Sequence, residues 1–236
     1  MKVRIRFSKT GKVRFVGHRD VARIWERALR RAEVPVAYSE GFSPRPKLSF
    51  GLALSVGCES FAEYLDVRLD ATAYDVGRLP GRLSEALPGG MDVLAAVAVE
   101  QGTPSLQESV TSCGWTLELV DADLDDVDAR CRAALAAEEL PYVRERKGRE
   151  EPDDLRPHLL ALAPTGLTDR GVELTTELGA QPRSIRPTEL VGVVFPSDDI
   201  GRVCRTHQWM TPDGAPRIEP IPLAAPTVQH AEARAS

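Results

Sequence analysis

The sequence lacks the motifs that identify most enzymes of known chemistry. It contains no G-x-x-x-x-G-K-[ST] phosphate loop, no H-E-x-x-H zinc motif, no G-x-S-x-G nucleophile turn and no G-x-G-x-x-G dinucleotide fingerprint. No two of its histidines, His18, His158, His207 and His230, stand at metal-ligand spacing. These absences argue against a conventional hydrolase or dehydrogenase, and we expect no metal, no cofactor and no catalytic residue.

Paired cysteines and long apolar runs are missing as well. The cysteines Cys58, Cys113, Cys131 and Cys204 include no C-x-x-C pair, so we expect reduced, mostly buried thiols rather than a zinc or iron–sulfur site. No apolar run approaches the roughly 20 residues of a membrane span, and the chain opens on a strand pattern rather than a signal segment. We therefore expect a cytoplasmic protein without a membrane partner.

Charge is distributed unevenly along the chain. The formal net charge is −5, yet residues 1–50 carry thirteen Lys and Arg against four Asp and Glu, a net charge of +9. Residues 51–236 carry seventeen against thirty-one, a net charge of −14. The field near a surface is set by groups within a Debye length, about 8 Å at physiological salt. The N-terminal end is therefore predicted to attract polyanions.

The first hundred residues predict a β-α-β-β-α-β order. Residues 2–7 alternate apolar and basic side chains, which indicates a half-buried strand with an exposed basic face. Residues 13–16 are predicted as its hairpin partner or a short extension. Helical spacing begins at Arg19 and ends before Pro35, and it predicts a buried apolar face made of Val21, Ile24, Trp25, Ala28, Leu29 and Ala32. Strands at 48–54, 62–69 and 91–99 and a helix over 72–87, interrupted at Pro80, complete the order of a ferredoxin-like domain.

A second unit of similar order follows a short linker at 101–105. Its predicted elements are strands at 115–120, 141–146, 171–178 and within 200–210, with helices over 121–139 and from Arg186. The prediction is an α+β fold of two tandem ferredoxin-like (split βαβ) units with antiparallel sheets. The domains are residues 1–100, residues 106–210 and a flexible, disordered Pro/Ala-rich tail over 211–236 that lacks the apolar content to fold alone.

The stretch Ala37–Phe50 concentrates aromatic, proline and basic residues. Pro44 and Pro46 fix φ and remove backbone donors, and Gly41 permits a sharp reversal, so this loop is predicted to be stiff. It is either a recognition surface or an inter-strand connection whose aromatics, Tyr38, Phe42 and Phe50, fill the core.

Three further candidates each have two interpretations. His18 stands at the predicted helix start, either as an RNA-contacting residue or general base, or as an N-terminal cap. Arg156-Pro157 and Arg186-Pro187 either hold guanidinium groups for phosphate or pair with neighbouring acids. The mixed-charge run 144–151 indicates a solvated hairpin rather than a nucleic-acid patch.

Several short motifs together resemble the radical-SAM-linked domain of unknown function. They are Phe15-Val-Gly-His-Arg-Asp20, the run Tyr38–Lys47, Leu54-Ser-Val-Gly57 and Glu63-Tyr-Leu-Asp66. The chain departs from the family pattern at Gly17 and Arg19, where the family has Ser and Leu, and at Ser43, where it has Asn. The resemblance implies a domain that follows a B12-binding radical SAM enzyme or stands alone, in the latter case encoded beside RNA-processing and ribosomal genes. The radical SAM cysteine triplet is missing here.

These observations predict a non-catalytic RNA-binding accessory module linked to RNA processing or modification. The alternatives are a protein-interaction partner of a radical SAM enzyme or ribonuclease, and a metal-independent endoribonuclease with His18 as base. The RNA could be tRNA, rRNA or mRNA. The predicted RNA-binding residues are Arg14, His18, Arg19, Arg23, Tyr38, Phe42, Arg45, Lys47, Arg156 and Arg186.

Overall fold

The computed structural model describes residues 1–100, 102–146, 148–211 and 216–221 and has a mixed α+β fold around a large, mostly antiparallel sheet. The N-terminal half, residues 1–100, contributes β1 Lys2–Lys9, α1 His18–Arg31, β2 Leu48–Phe50, β3 Glu59–Arg68, α2 Leu79–Ala86 and β4 Val93–Val99. The C-terminal half, residues 102–211, contributes α3 Leu106–Ser109, β5 Val110–Val120, α4 Leu124–Ala136, β6 Pro141–Arg146, β7 Arg149–Asp154, β8 Leu159–Thr168, β9 Gly171–Gly179, α5 Pro187–Val194 and β10 Asp199–Met210.

Both halves contribute to the same sheet. Within the described residues its strand order is β4-β1-β3-β10-β5-β9-β8, and β2 also pairs with β3. The two halves meet where β10 runs parallel to β3, with Cys204 opposite Glu59 and Arg205 opposite Ser60. The other neighbouring strands of this sheet pair antiparallel.

Amphipathic helices cover the sheet and give each half a core. In α1 the side chains of Val21, Trp25, Ala28 and Leu29 are buried at helical spacing. The Trp25 ring contacts Phe7 of β1 edge to face, with ring centroids 4.9 Å apart. The helices α4 and α5 cover the C-terminal half in the same way.

The predicted strand over 13–16 is wrong. Gly11 has a φ of +62°, which reverses the chain after β1, and Gly11–Phe15 form a turn of 3-10 helix. The physical reason lies in the sheet, because β1 already pairs with β3 on one side and β4 on the other. No edge of β1 is left for a hairpin partner.

The prediction that the basic face of β1 is exposed is also wrong. Arg4 and Arg6 are each 3% exposed. Arg4 forms a two-pronged hydrogen bond to Asp66 of β3, at 2.7 and 3.0 Å. Arg6 pairs with Glu219 at 2.7 Å and donates to the Ile221 carbonyl. These contacts neutralise the charge of the strand, because buried guanidinium groups need anionic or carbonyl partners.

Residues 141–146 do form a strand, but not in the large sheet. There β6 pairs with β7 as a separate two-stranded hairpin, which agrees with the solvated hairpin predicted for 144–151. The strand that occupies the outer position beside β9 is β8. The alternation that predicted β6 reports only that side chains point to opposite faces, and it does not identify the pairing partner.

Part of the predicted tail packs against the protein. Ile218 pairs with Met210 at the end of β10, and Ile221 is 3% exposed beside Tyr64 and Leu106. The prediction of a disordered tail over 211–236 was therefore wrong for 216–221. The remainder of that tail, 212–215 and 222–236, lies outside the described residues.

The four cysteines are free and buried, as the sequence analysis predicted. Burial raises the pKa of the thiols of Cys131 and Cys204, each to about 11, so both stay protonated at neutral pH. Within the described residues, no helix combines the length and apolar character needed to cross a bilayer.

Candidate nucleic-acid interface

The loop over 37–47 is a closed, hydrogen-bonded hairpin with an exposed aromatic tip. The Ser39 amide donates to the Arg45 carbonyl, and the Lys47 amide donates to the Ala37 carbonyl, both at 2.8 Å. Phe42, at the tip, is fully exposed. Two prolines and the cross-loop hydrogen bonds shape the backbone of the loop, and no described side chain covers the ring. Phe42 is therefore not a core residue, which excludes one of the two interpretations for that side chain.

The other two aromatics of the stretch are less exposed. Tyr38 is 47% exposed and forms an isolated bridge with Pro46. Phe50 is half-buried in β2, where its ring contacts His18 edge to face at 5.2 Å. The stretch thus combines an exposed tip with a partly buried base, which anchors the loop to the sheet.

The exposed face of α1 is rich in arginine. Arg23 forms an ion pair with Asp20 at 2.9 Å, but both side chains are more than 60% exposed, so the pair is weak and screened by salt. Arg45 and Lys47, on the loop, are also exposed. The exposed arginines of α1 are Arg19, Arg23, Arg27, Arg30 and Arg31.

His18 is the first residue of α1, and the cap position belongs to Gly17. The φ and ψ of Gly17 are extended, and it contributes no side-chain hydrogen bond. The interpretation of His18 as the N-terminal cap is therefore wrong. Its ring is exposed and leans on Phe50 at the mouth of a pocket.

Arg14 lies in the 3-10 turn and is partly occupied by local contacts. Its guanidinium donates to the Gly11 carbonyl at 3.1 Å and lies 4.5 Å from the Phe15 ring centroid. It also lies 3.7 Å from Glu59. With a side chain 39% exposed, it remains accessible from solvent.

Arg156 and Arg186 lie in the C-terminal half, whereas α1 and the loop over 37–47 belong to the N-terminal half. The Arg156 guanidinium donates to the carbonyls of Leu135 and Ala137 at the end of α4 and to that of Leu159. It thus supplies hydrogen bonds to carbonyl groups at the end of α4, a role that neither interpretation included. Arg186 is exposed at the start of α5, where its amide donates to Glu189 at 2.8 Å.

Sequence reasoning missed a buried charged cluster beneath His18. Lys9, Glu63 and Arg205 are each less than 10% exposed, and Lys9 and Glu63 line the same pocket as His18 and Phe50. Burial lowers the pKa of Lys9, although nearby Glu63 opposes that effect. These residues come from β1, β3 and β10, and no local sequence pattern links strands so distant along the chain.

No group of three or more His, Cys, Asp or Glu side chains in the described part of the chain is arranged to hold a metal ion. The chemistry available on the exposed face of α1 and on the loop over 37–47 is therefore that of cations, aromatic rings and backbone amides. Such groups bind anions and stack on planar rings.

Comparison with known proteins identifies one family. No curated protein matches the chain. The model of the family described as "Uncharacterized protein conserved in bacteria (DUF2344)" matches residues 2–187. The match contains the whole N-terminal half, with α1 and the loop over 37–47, and most of the C-terminal half. The chain therefore belongs to this family of uncharacterized conserved bacterial proteins.

Proposed function

We propose that the protein is a non-catalytic RNA-binding module whose interface is formed by the loop over 37–47 and the exposed face of α1. The observation that carries this proposal is the full exposure of Phe42 at the tip of a closed loop that also carries the exposed cations Arg45 and Lys47. Because no described group covers the ring, its faces are available to stack on a base. Base stacking on aromatic side chains stabilises single-stranded complexes by about 1–3 kcal/mol per base.

Exposed cations of the loop and of α1 supply the second half of the interaction. Arg45 and Lys47 belong to the same loop, and Arg19 and Arg23 are exposed on α1. Phosphate contacts from such side chains fix the register of a strand, and unpaired bases then meet the aromatic tip. His18 lies beside Phe50 at the base of the loop stretch, whereas Arg14 lies beside Glu59 at the opposite end of β3 and Arg156 contributes to the end of α4.

The proposal includes an architecture and a cellular setting. The strand orders β4-β1-β3-β2 and β10-β5-β9-β8 support two tandem ferredoxin-like units. Buried, unpaired thiols support a reducing cytoplasm. The association with a radical SAM enzyme rests on the motif resemblance alone.

RNA binding is tested by fluorescence anisotropy with a labelled single-stranded RNA over a range of salt concentrations. The Arg23→Glu/Arg45→Glu double variant removes two cations from the proposed interface. We expect it to weaken binding at least about tenfold and to reduce the slope of log K against log salt by about 1.4. Phe42→Ala is expected to cost about 1–3 kcal/mol of binding free energy without changing that slope.

The matched control is Arg132→Glu. Arg132 is an exposed helical arginine with an acidic partner, Asp128, four residues earlier in α4. Reversing the charge of this side chain changes the net charge of the chain but leaves the proposed interface intact, so RNA affinity should change little. If the double variant and the control bind RNA equally well, the proposed interface is wrong.

Two single variants distinguish the two alternative functions. A partner that remains bound after ribonuclease treatment and is lost in Phe42→Ala would make this surface a protein-docking site, on a radical SAM enzyme or a ribonuclease. Cleavage of the labelled RNA by the wild type but not by His18→Ala would favour the endoribonuclease. We place the binding module first because the exposed ring and cations are binding groups.

A further inference from the structure

The outer face of α1 carries its arginines in a single strip. At about 100° of rotation per residue, the five side chains fall within about 120° of arc, opposite the buried face that contains Trp25. The strip is about 18 Å long, because its ends are separated by twelve residues of about 1.5 Å each. The members of this arginine strip, all exposed, are Arg19, Arg23, Arg27, Arg30 and Arg31.

Few groups of the protein neutralise the arginine strip. Within the described residues, Arg23 is its only member in an ion pair, and this pair with Asp20 is exposed on both sides. Arg31 also donates to the Ala86 carbonyl, at 3.4 Å. The helix contains five arginines against two acids, Asp20 and Glu26, which gives a net charge of +3. The outer face of α1 is therefore a cationic surface.

The arginines of α4 are arranged differently. Arg130 pairs with Asp126 and Arg132 with Asp128, each with an acid four residues earlier in the helix. Such pairs stabilise a helix, whereas like charges four residues apart destabilise it. In α1 the four-residue spacing repeatedly places arginine beside arginine. Helix stability does not account for this arrangement, but a bound polyanion would offset the repulsion.

The shape and composition of the strip favour a nucleic-acid duplex over a single strand. Sites for single strands combine a cationic groove with aromatic rings that stack on bases. The strip instead lies on the convex outer side of a helix, and the aromatic ring of that helix, Trp25, is fully buried. Duplex RNA is recognised mostly by its shape and by contacts to phosphate and 2′-hydroxyl groups across a wide, shallow minor groove. A ridge of cations without stacking rings suits that surface.

Charge density favours a duplex as well. A duplex presents one phosphate per about 1.7 Å of its axis, twice the density of one of its strands. Over about 18 Å, a duplex offers about ten phosphates and a single stacked strand about five. Because each neutralised phosphate of a duplex also releases more counterions than that of a single strand, a rigid row of five cations gains more from a duplex.

We propose that the arginine strip binds the backbone of a double-helical segment of RNA. The inference rests on the proposed function and specifies its substrate class, an RNA with a base-paired stem for α1 and an unpaired segment for Phe42. It gives Arg27, Arg30 and Arg31 the same role as Arg19 and Arg23, namely contact with phosphate groups.

The experiment compares an RNA stem-loop with an unpaired RNA strand of the same length and with a DNA stem-loop of the same sequence. A stem of about ten base pairs is longer than the roughly five that 18 Å spans. Each nucleic acid is titrated into the full-length protein and followed by fluorescence anisotropy. Both RNAs offer unpaired bases, so a difference between them reports the stem. We expect the wild type to bind the RNA stem-loop about tenfold tighter than the unpaired strand.

The double variant Arg27→Gln/Arg30→Gln tests the strip directly, because these guanidinium groups have no partner within the described residues. It should bind the stem-loop about tenfold more weakly, with a salt slope smaller by about 1.8, and so lose the preference for a stem. Phe42→Ala should weaken the binding of both RNAs by a similar factor and keep the preference. The matched control Arg132→Gln should change neither. Thermal unfolding verifies that each variant is folded.

Three outcomes overturn the inference while the proposed function stands. The unpaired strand binds as tightly as the stem-loop, the preference for a stem survives in Arg27→Gln/Arg30→Gln, or the DNA stem-loop binds as tightly as its RNA counterpart. In the last case the strip would bind the phosphates of any duplex, and the assignment to RNA would be wrong.

Failure of the proposed function gives a different result. If the wild type binds none of the three nucleic acids, the proposed function and the inference both fail. Poly-glutamate is then titrated into the wild type and Arg27→Gln/Arg30→Gln. Binding that is lost in the double variant would make the strip a docking surface for an acidic protein instead.

Discussion

At the scale of single residues, burial divides the cations of this protein into two groups. Arg4, Arg6 and Arg205 are almost fully buried and paired with carboxylates. Arg19 and Arg45 lie in water. A count of basic residues over 1–50 cannot separate these groups, because a guanidinium group is buried whenever a carboxylate on a neighbouring strand meets it. The proposed interface therefore depends on individual positions rather than on net charge.

His207 is a residue whose environment predicts a dependence of stability on pH. Its ring stacks on Trp209 at 4.9 Å, and burial lowers its pKa, with Arg6 and Arg217 acting in the same direction and Glu219 opposing them. The unfolded chain therefore binds more protons than the folded protein between this lowered pKa and about 6.5. Stability due to His207 rises with pH across that window and falls on acidification.

The measurement is the free energy of urea unfolding between about pH 5 and pH 7.5 for the wild type and His207→Phe. Phe keeps an aromatic ring over Trp209 and cannot be protonated. The wild type should gain more stability than the variant as the pH rises. Parallel curves for the two proteins would contradict the prediction.

At the scale of elements, the turn before β4 depends on one glycine. Gly90 has a φ of +89°, and a Cβ there would lie 2.4 Å from the Thr10 carbonyl oxygen. The Gly90 carbonyl also accepts a hydrogen bond from the Thr10 amide, at 2.8 Å. The contact joins the end of β1 to the start of β4, so the two strands need glycine at this position.

We predict that Gly90→Ala lowers the free energy of unfolding by about 2 kcal/mol or more, from left-handed backbone strain together with the clash. The adjacent Gly89 is the matched control, because no atom lies within 4 Å of a Cβ placed there. Gly89→Ala should change stability by less than about 1 kcal/mol. Equal effects in urea unfolding would show that the turn tolerates a side chain.

At the scale of the whole molecule, one sheet and several buried polar contacts join the two halves. Arg205 of β10 is bound to Glu63 of β3, and Gln208 donates to the Ala62 carbonyl at 2.6 Å. Arg202 pairs with Glu59 at 2.7 Å. Separation of the halves would break these contacts and expose the unpaired backbone edges of β3 and β10. The halves are therefore expected to unfold together.

Tryptophan fluorescence can test this prediction, because the tryptophans divide between the halves. Trp25→Phe leaves Trp115 and Trp209 as reporters of the C-terminal half. Trp115→Phe/Trp209→Phe leaves Trp25 in the N-terminal half. Each variant is unfolded in urea and followed by circular dichroism as well, so that fluorescence and helix content are compared within one protein. Coincident transitions are expected in both variants, and a resolved intermediate in either would contradict the prediction.

The sequence by itself determined most of the elements and the faces of the helices. Helical spacing from Arg19 correctly predicted that Trp25 and its neighbours are buried, and the apolar periodicity located β3, β5 and β9. The unusual composition of 37–47 drew attention to the loop that carries Phe42. These features are local, because propensity, periodicity and turn chemistry act between residues close in the chain.

Only the tertiary structure decided which side chains meet. In the folded protein, Arg4 and Arg6 are buried and Arg156 donates hydrogen bonds to carbonyls at the end of α4. Lys9 lines the same pocket as His18 and Glu63. The tertiary structure also joined both halves in a sheet through β3 and β10. Strand pairing depends on contacts between residues up to about 145 positions apart, as in the pairing of Cys204 with Glu59. Such contacts leave no periodic trace in a single sequence, because the free energy that selects them comes from the packed whole.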